Sequence, residues 1–325
     1  MRYLLRNLGF YVLAFWASVT LNFLLPRFMP GDPVSRMFAR SQSQMQPEQI
    51  EQICRLFGLD HRPMWEQYID YVKDVCTGNM GISLSRFPTP VSEVIASQIG
   101  WTLLLGGTSL VIAVVIGNLL GILAAWRRGG VLDSVFPPLL VFAGSFPYFW
   151  LAMGALYLFG MTLGWFPMRH AFDVGFTPEL SWAFLSNAAT HLVLPALTIV
   201  LVSIGGWMLG MRNTMIATVA EDYITMAEAK GLTPARIMFR YAARNAMLPS
   251  VTNFGMALGF VVGGALLTEV VFAYPGVGFQ LLAAVQGLDY PLMQGIFLTI
   301  TAAVLVANFL VDLVYVRLDP RVRVR

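Results

Sequence analysis

The side chains that could do chemistry are few and lie far apart along the chain. Its histidines and cysteines occupy separate segments and fit no zinc or redox motif: His61, His170, His191, Cys54 and Cys76. The sequence has no G-x4-G-K-[ST] phosphate loop, no H-E-x-x-H and no G-x-S-x-G, which excludes ATP binding through a phosphate loop and leaves no sign of a zinc or serine hydrolase. We therefore predict that the chain has no catalytic residue, no metal site and no bound cofactor, and is not itself an enzyme.

Only two carboxylates fall within the long apolar stretches of the sequence. Glu269 and Asp312 each lie towards one end of a stretch, and the middles of the stretches before them have no ionisable residue. Secondary transporters usually place ionisable residues at mid-membrane depth for ion coupling. We interpret both residues as capped or paired structural carboxylates, so the chain shows no energy source of its own.

A compact basic run, AEAKGLTPARIMFRYAARNAMLP, occupies residues 227–249. Gly231 is expected to end a first helix, with Lys230 near the negative end of its dipole. Thr233 is a suitable N-cap and Pro234 a suitable first residue for a second helix. The run therefore predicts two short helices joined at a glycine.

The second of these helices is expected to carry two stripes. Its arginines recur every four residues: Arg236, Arg240 and Arg244. Ile237 and Tyr241 form an apolar stripe beside them. Such a pair of helices fits a docking knob for another protein, but a basic amphipathic helix on anionic lipid has the same periodicity. The residues alone leave both interpretations open.

The elements that must hold these residues are those of a membrane protein. The 325 residues are 57% hydrophobic and only 12% charged, with a mean hydropathy of +0.67, whereas soluble domains are about 25% charged. A spanning helix needs about 20 apolar residues. Six stretches qualify, at about 1–28, 99–126, 136–163, 191–211, 249–272 and 291–316.

Two of these stretches need interpretation. The first resembles a signal peptide, but it is too long and has no cleavage site, so we expect an uncleaved span. The third contains Pro137, Pro138 and Pro147, and we expect one kinked helix with an interfacial tail. The sequence thus predicts an all-α membrane protein with six transmembrane helices.

The basic residues predict the orientation of these spans. With the N-terminus inside, the inner segments hold 13 of the 21 Lys and Arg residues. The short outer loops near 164–190 and 273–290 contain only Arg169. Because short inner loops are enriched in Lys and Arg, we predict that both termini are cytoplasmic.

The long outer segment, residues 29–98, is expected to be helical as well. Amphipathic helices are predicted at 46–58 and 63–78, with Cys54 and Cys76 on or beside their buried faces. An extracytoplasmic location permits oxidation, so the two cysteines form either a disulfide or two buried free thiols.

Glycines recur at four-residue spacing in two of the spans. They are Gly117 and Gly121 in the second span, and Gly255, Gly259 and Gly263 in the fifth. Such spacing lets helices approach closely in lipid. We favour ordinary bundle packing over a specific subunit interface.

The stretch DYITMAEAKGLTPARIMFRYAARNAMLP resembles the "EAA" coupling loop of ABC importer permeases, in its peptide-permease variant. The matching positions are Asp222, Tyr223, Ala227, Ala229, Lys230, Gly231, Arg244, Asn245 and Pro249. Two positions depart from the family pattern: Thr225 replaces a glutamate, and Tyr241 replaces a frequent histidine. In that family the loop sits in a cleft of a cytoplasmic ATPase subunit, and Arg236 and Arg240 would belong to the same surface.

The resemblance covers nearly the whole chain in family order. Its other segments include MPGDP (29–33), FGLDHRPMWEQYIDYVKD (57–74), SFPYFW (145–150), HLVLPALT (191–198), EVVFAYPGVG (269–278) and DPRVR (319–323). The chain is similar to the B-type permease subunit of an oligopeptide or dipeptide ABC importer. This implies three parts: a first helix at 1–28, an outer segment at 29–98, and a permease core at 99–325 with its coupling loop at 214–249.

The resemblance also implies partners and a mechanism. A homologous second permease subunit, two cytoplasmic ATPase subunits that bind ATP and Mg, an extracytoplasmic substrate-binding protein, a peptide substrate and membrane lipid are expected, and no nucleic acid. The bundle would form half of a pore in a prokaryotic inner membrane and work by alternating access.

The resemblance also suggests roles for two outer parts of the chain. The outer segment either docks the binding protein or packs as a lid. EVVFAYPGVG looks like the outer rim of the pore, with Glu269, Pro275, Gly276 and Gly278 as candidates.

Other functions remain open at this point. Importers of nickel chelates or glutathione share this permease family, and no residue separates their substrates from peptides. A proton-coupled secondary carrier and a membrane scaffold are more distant alternatives.

Overall fold

The computed structural model of the chain describes residues 2–28 and 62–318, except for the side chains of residues 2–8, 260, 264, 312 and 314–318. The predicted helix at 46–58, Cys54 and the side chain of Asp312 therefore lie outside the described part. Within that part the regular structure is helical, apart from one bridge between Ile82 and Pro90.

The helices of the described part vary widely in length. In chain order they are α1 Arg2–Phe28, α2 Met64–Thr77, α3 Val91–Trp126, α4 Val131–Ser134, α5 Phe136–Gly144, α6 Tyr148–Ala155, α7 Trp182–Val219, α8 Asp222–Ala229, α9 Pro234–Arg236, α10 Arg244–Ala246, α11 Leu248–Gly264, α12 Leu266–Val271, α13 Val277–Gly287 and α14 Tyr290–Leu318. Two π-helical turns, Leu156–Thr162 and Ile237–Ala243, follow α6 and α9.

Four of these helices, α1, α3, α7 and α14, are each long and apolar enough to cross a membrane. Two bent pairs raise the number of spans to six if each pair is one span. The first pair joins α4 and α5 to α6 and its π-turn, and is bent by 95° between Gly144 and Tyr148. The second is bent by 47° within α11, between Leu248–Gly259 and Val261–Val271. α3 and α7 have 36 and 38 residues and run past the predicted apolar stretches, because a helix can continue beyond the hydrocarbon.

The third stretch is broken more sharply than the single kinked helix that we predicted. α5 ends at Gly144, and α6 starts after Pro147. Since proline has no N–H and disfavours a helical residue before it, helical hydrogen bonding cannot run through this point. Pro137 and Pro138 lie in the first turn of α5, where proline is tolerated, and α4 and α5 together form one arm of the bent pair.

Small residues bring the long helices together. A Cβ atom at Gly121 would lie only 2.6 Å from the carbonyl oxygen of Met208, so α3 and α7 touch backbone to backbone. A Cβ atom at Gly255 would lie 2.7 Å from Val311 of α14. Both glycine series therefore serve packing within the bundle, as we favoured from the sequence.

α2 forms at the predicted position and ends at Gly78 with φ of +75°. Its contact face differs from the prediction, because Cys76 is exposed. The helix instead packs on α1 through two tyrosines, whose hydroxyl groups find polar partners there. The Tyr68 hydroxyl lies 2.7 Å from Thr20 Oγ1, and the Tyr71 hydroxyl accepts from Asn22 Nδ2 at 3.1 Å.

Candidate functional site

The predicted two-helix segment is present, with α8 and α9 as its helices. Gly231 ends the first of them with φ of +73°, a left-handed conformation that glycine adopts without strain. Thr233 is the N-cap of α9 and Pro234 its first residue, as predicted, although the Thr233 side chain makes no capping bond. We call residues 214–249 the coupling segment.

One side of the coupling segment is fixed to the bundle. Apolar side chains of α8, the π-turn and α10 are buried against the ends of α3 and α7: Ile224, Ala227, Ile237, Met238, Ala242, Ala243 and Ala246 pack with Ile122, Ala125, Met211 and Met215. Movement of this segment would therefore act directly on the two longest helices.

The apolar stripe of the second helix is not the one that we predicted. Ile237 is buried, but Tyr241 is exposed. Residues 237–243 form a π-helix, whose hydrogen bonds join residues five apart. Buried positions consequently recur at a spacing of five, as in Ile237 and Ala242 or Met238 and Ala243.

The other side of the coupling segment faces away from the bundle and is exposed to solvent. Most of the residues that carry the family resemblance are exposed there, together with the predicted arginines: Asp222, Ala229, Lys230, Gly231, Arg236, Arg240, Arg244, Asn245 and Pro249. Tyr223 is half-buried and Ala227 is buried. Met226 is 61% and Phe239 47% exposed on the same segment, so its surface is both basic and apolar.

Two contacts that the sequence did not predict stabilise the coupling segment and the helices at its base. Asn245 Nδ2 donates to the Tyr223 hydroxyl at 2.9 Å and ties α10 to α8. At the base of the segment, Arg212 Nε lies 2.5 Å from Asp133 Oδ1. Asp133 also accepts from the Gly129 N–H at 2.9 Å. These pairs are 22 and 79 residues apart in sequence, and no local pattern marks them.

The predicted rim residues lie at the opposite end of the bundle, around a buried carboxylate. Glu269 has no exposed surface and accepts from Thr102 Oγ1 at 2.7 Å, from the Gly278 N–H at 2.7 Å and from the Phe279 N–H at 3.1 Å. It therefore caps the N-terminus of α13, where a negative charge is favourable. The carboxylate is capped, as we predicted.

The neighbours of Glu269 shape a turn. A Cβ atom at Gly276 would lie 2.3 Å from the Glu269 carboxyl carbon, so only glycine fits there. Gly276 and Gly278 are buried and Pro275 is half-buried. Burial, and to a lesser degree the nearby Glu269, raises the pKa of the Tyr274 hydroxyl above its usual range, so this residue stays neutral. The role of these residues as an outer gate stays a prediction.

A second buried carboxylate, Asp289, was missed by the sequence reasoning. Its Oδ2 accepts from Ser83 Oγ at 2.5 Å and from the Ser85 N–H at 2.8 Å, while Oδ1 accepts from the Leu292 N–H at 3.1 Å at the start of α14. Asp directly before a helix with proline in its first turn was the available signal.

The histidines and cysteines bring no metal chemistry in the part of the chain that the structure describes. No group of three His, Cys, Asp or Glu residues there could hold a metal ion. His191 is buried on α7, with Nε2 3.4 Å from Asp173 Oδ1. This contact ties the loop before α7 to its helix.

Comparison with known proteins gives a consistent result. The family described as "Binding-protein-dependent transport system inner membrane component" matches residues 117–324. A putative peptide permease protein of Brucella suis is 38% identical over 100% of this chain and 99% of its own length. The di/tripeptide transport system permease protein DppB of Pseudomonas aeruginosa is 33% identical, with coverage of 99% and 98%. The dipeptide transport system permease protein DppB of Escherichia coli K12 is 34% identical, with 99% of both chains covered.

Proposed function

The chain belongs to the family of binding-protein-dependent transport system inner membrane components, and from this premise we propose that it forms half of the translocation pathway of an ABC importer for peptides. As a member of that family it is a multi-pass inner-membrane permease subunit rather than an enzyme. The relatives reported above are all named for peptides, di/tripeptides or dipeptides, which favours these substrates over nickel chelates and glutathione.

The geometry of the coupling segment is the observation that carries the proposal. Its inner side is packed on α3 and α7, and its outer side presents exposed arginines beside exposed Met226 and Phe239. A helix bound to lipid would need its main apolar face free, but here Ile237, Met238, Ala242 and Ala243 are buried against the bundle, and exposed apolar side chains such as Met226 and Phe239 remain for a partner. A partner protein with an acidic and apolar cleft fits the remaining surface.

The family resemblance supplies the partners and the cycle of this proposal. The cleft would belong to one of two cytoplasmic ATPase subunits, which bind ATP and Mg, while a homologous permease and an extracytoplasmic binding protein complete the importer. ATP binding would close the ATPases and move the coupling segment, and the bundle would then open outwards to receive peptide. Hydrolysis would reset it. With six spans and both termini inside, as the basic residues of the sequence predict, the coupling segment would lie in the cytoplasm.

Replacing Gly231 with valine tests the coupling role. Valine is disfavoured at φ of +73°, so the segment should shift on its support while the bundle stays folded. In the reconstituted importer we expect peptide uptake per ATP hydrolysed to fall by roughly fivefold or more, the usual range of coupling between sites.

Gly78→Val is the matched control for this experiment. Gly78 also ends a helix, at φ of +75° and with open space around it, but it follows α2. Equal uptake per ATP in both variants would contradict the docking role. Uptake that is abolished by a protonophore and insensitive to loss of the ATPases would instead indicate a proton-coupled carrier.

A further inference from the structure

The corner between α5 and α6 is exposed on the surface of the bundle. Residues Gly144, Ser145 and Pro147 are exposed, and Phe146 is half-buried. The helices on either side are bent by 95°, and residues 145–147 lie between them, outside both helices. We call residues 144–147 the corner.

The contact with α7 shows how deep the corner lies. A Cβ atom at Gly144 would lie 3.1 Å from the carbonyl oxygen of Val202, so the two backbones meet at this level. Arg212 binds Asp133 and directly follows the fourth apolar stretch, which ends at residue 211, so it marks the edge of the hydrocarbon on this helix. It lies ten residues further along α7 than Val202, or about 15 Å. Since the hydrocarbon core is about 30 Å thick, the corner lies near its middle.

The corner leaves backbone acceptors without partners. Among the described residues, no N–H or O–H group donates to the carbonyl oxygens of Gly144, Ser145 or Phe146. The Ser145 hydroxyl does not help, because it donates back to the Val141 carbonyl at 2.9 Å. Irregular backbone at membrane depth does not face lipid, and it occurs only where it is buried in protein or lines a water-filled cavity.

We propose that the corner lines the aqueous peptide pathway and that its free carbonyl oxygens accept hydrogen bonds from the N–H groups of a passing peptide. This inference rests on the proposed function. A peptide brings a backbone N–H at nearly every residue and an ammonium group at its N-terminus, which are the donors that the corner lacks.

The side chains around the corner suit a peptide of varied sequence. Phe142 is 63% and Trp150 62% exposed, one on each side of the corner. Backbone acceptors read only the backbone of the ligand, and aromatic faces accept many side chains. The corner would therefore hold peptides without selecting among their side chains.

Cysteine accessibility tests the inference in the assembled importer. In a chain carrying Cys54→Ser and Cys76→Ser, Ser145→Cys is compared with Ile112→Cys. Ile112 is 41% exposed on α3, next to Ala113, which packs on Val200 and Ile204 at the depth of the corner. The complex is placed in nanodiscs and treated with a cationic methanethiosulfonate, with and without ATP, and labelling of this chain is followed by mass spectrometry.

We expect Ser145→Cys to react about tenfold faster or more than Ile112→Cys, because a thiolate forms only where water reaches the sulfur. Dialanine and trialanine, delivered with the binding protein, should slow that reaction.

The possible failures are distinct. If Ser145→Cys reacts no faster than Ile112→Cys, the corner is covered by lipid or by the second permease, and the inference is wrong although the function stands. Fast labelling that peptide does not slow overturns the peptide contact. If dialanine and trialanine do not stimulate ATP hydrolysis by the wild-type complex, the proposed function itself fails, whatever the labelling shows.

Discussion

At the scale of single residues, Glu269 holds together groups from three parts of the chain. Glu269→Ala would leave the N–H groups of Gly278 and Phe279 and the Thr102 hydroxyl without their acceptor. A buried donor that loses its partner costs about 1–3 kcal/mol. We expect the purified complex to unfold at a clearly lower temperature in a thermal melt, and Glu269→Gln, which keeps an acceptor oxygen, to lose less.

Glu93→Ala provides the control for this measurement, since Glu93 is an exposed carboxylate on α3. A melting temperature for Glu269→Ala equal to that of Glu93→Ala would show that the cap is not a stabilising element.

The sequence predicted that Glu269 is a capped carboxylate and that Gly231 ends a helix, because both features depend mainly on residues nearby in the chain. The N–H groups that bind Glu269 lie nine and ten residues away, whereas the bond from Thr102, 167 residues away, was not predicted. Asp289 was missed because Ser83 is 206 residues away, and a single sequence carries no mark of such a pair.

At the scale of elements, the corner depends on Pro147. Pro147→Ala restores an N–H that can donate to the Ala143 carbonyl, so α5 could continue through the corner. Alanine is favoured over proline by about 3 kcal/mol inside a helix. We expect peptide uptake to fall by roughly tenfold, because the carbonyl oxygens of the corner would then accept helical hydrogen bonds instead of bonds from the peptide.

Pro138→Ala is the matched variant, because Pro138 lies in the first turn of α5, where an N–H has no helical partner. Its uptake should stay at the wild-type level. Loss of uptake in Pro138→Ala as large as that in Pro147→Ala would assign the effect to general damage of the helix.

The sequence predicted the long helices but not the break between α5 and α6 or the π-turn at 237–243. Apolar length indicated α3, α7 and α14, but hydropathy does not measure a bend, and it made the broken third stretch look like one kinked helix. The π-turn at 237–243 changed the buried set for the same reason: an assumed period of 3.6 pairs Ile237 with Tyr241, whereas the structure pairs it with Ala242.

At the scale of the whole molecule, orientation is open to a direct test. In right-side-out vesicles with a chain that carries Cys54→Ser and Cys76→Ser, a membrane-impermeant maleimide should label Val174→Cys, at a position 99% exposed in the loop before α7. Met226→Cys, on the coupling segment, should react only after the membrane is opened. The reverse pattern would contradict cytoplasmic termini.

Right-side-out vesicles with the unsubstituted chain decide the state of the native cysteines. Cys76 is exposed on α2, so it should react at once if it is free and only after reduction if it is joined to Cys54.

α7 connects the two ends of the molecule without interruption. It has 38 residues, or about 57 Å, with the coupling segment packed near one end and the His191–Asp173 contact towards the other. A tilt of about 10° about the middle of such a rod displaces its two ends by about 5 Å each, in opposite directions. An ångström-scale displacement at the coupling segment would thus reach the far end of α7 with no change of fold in between.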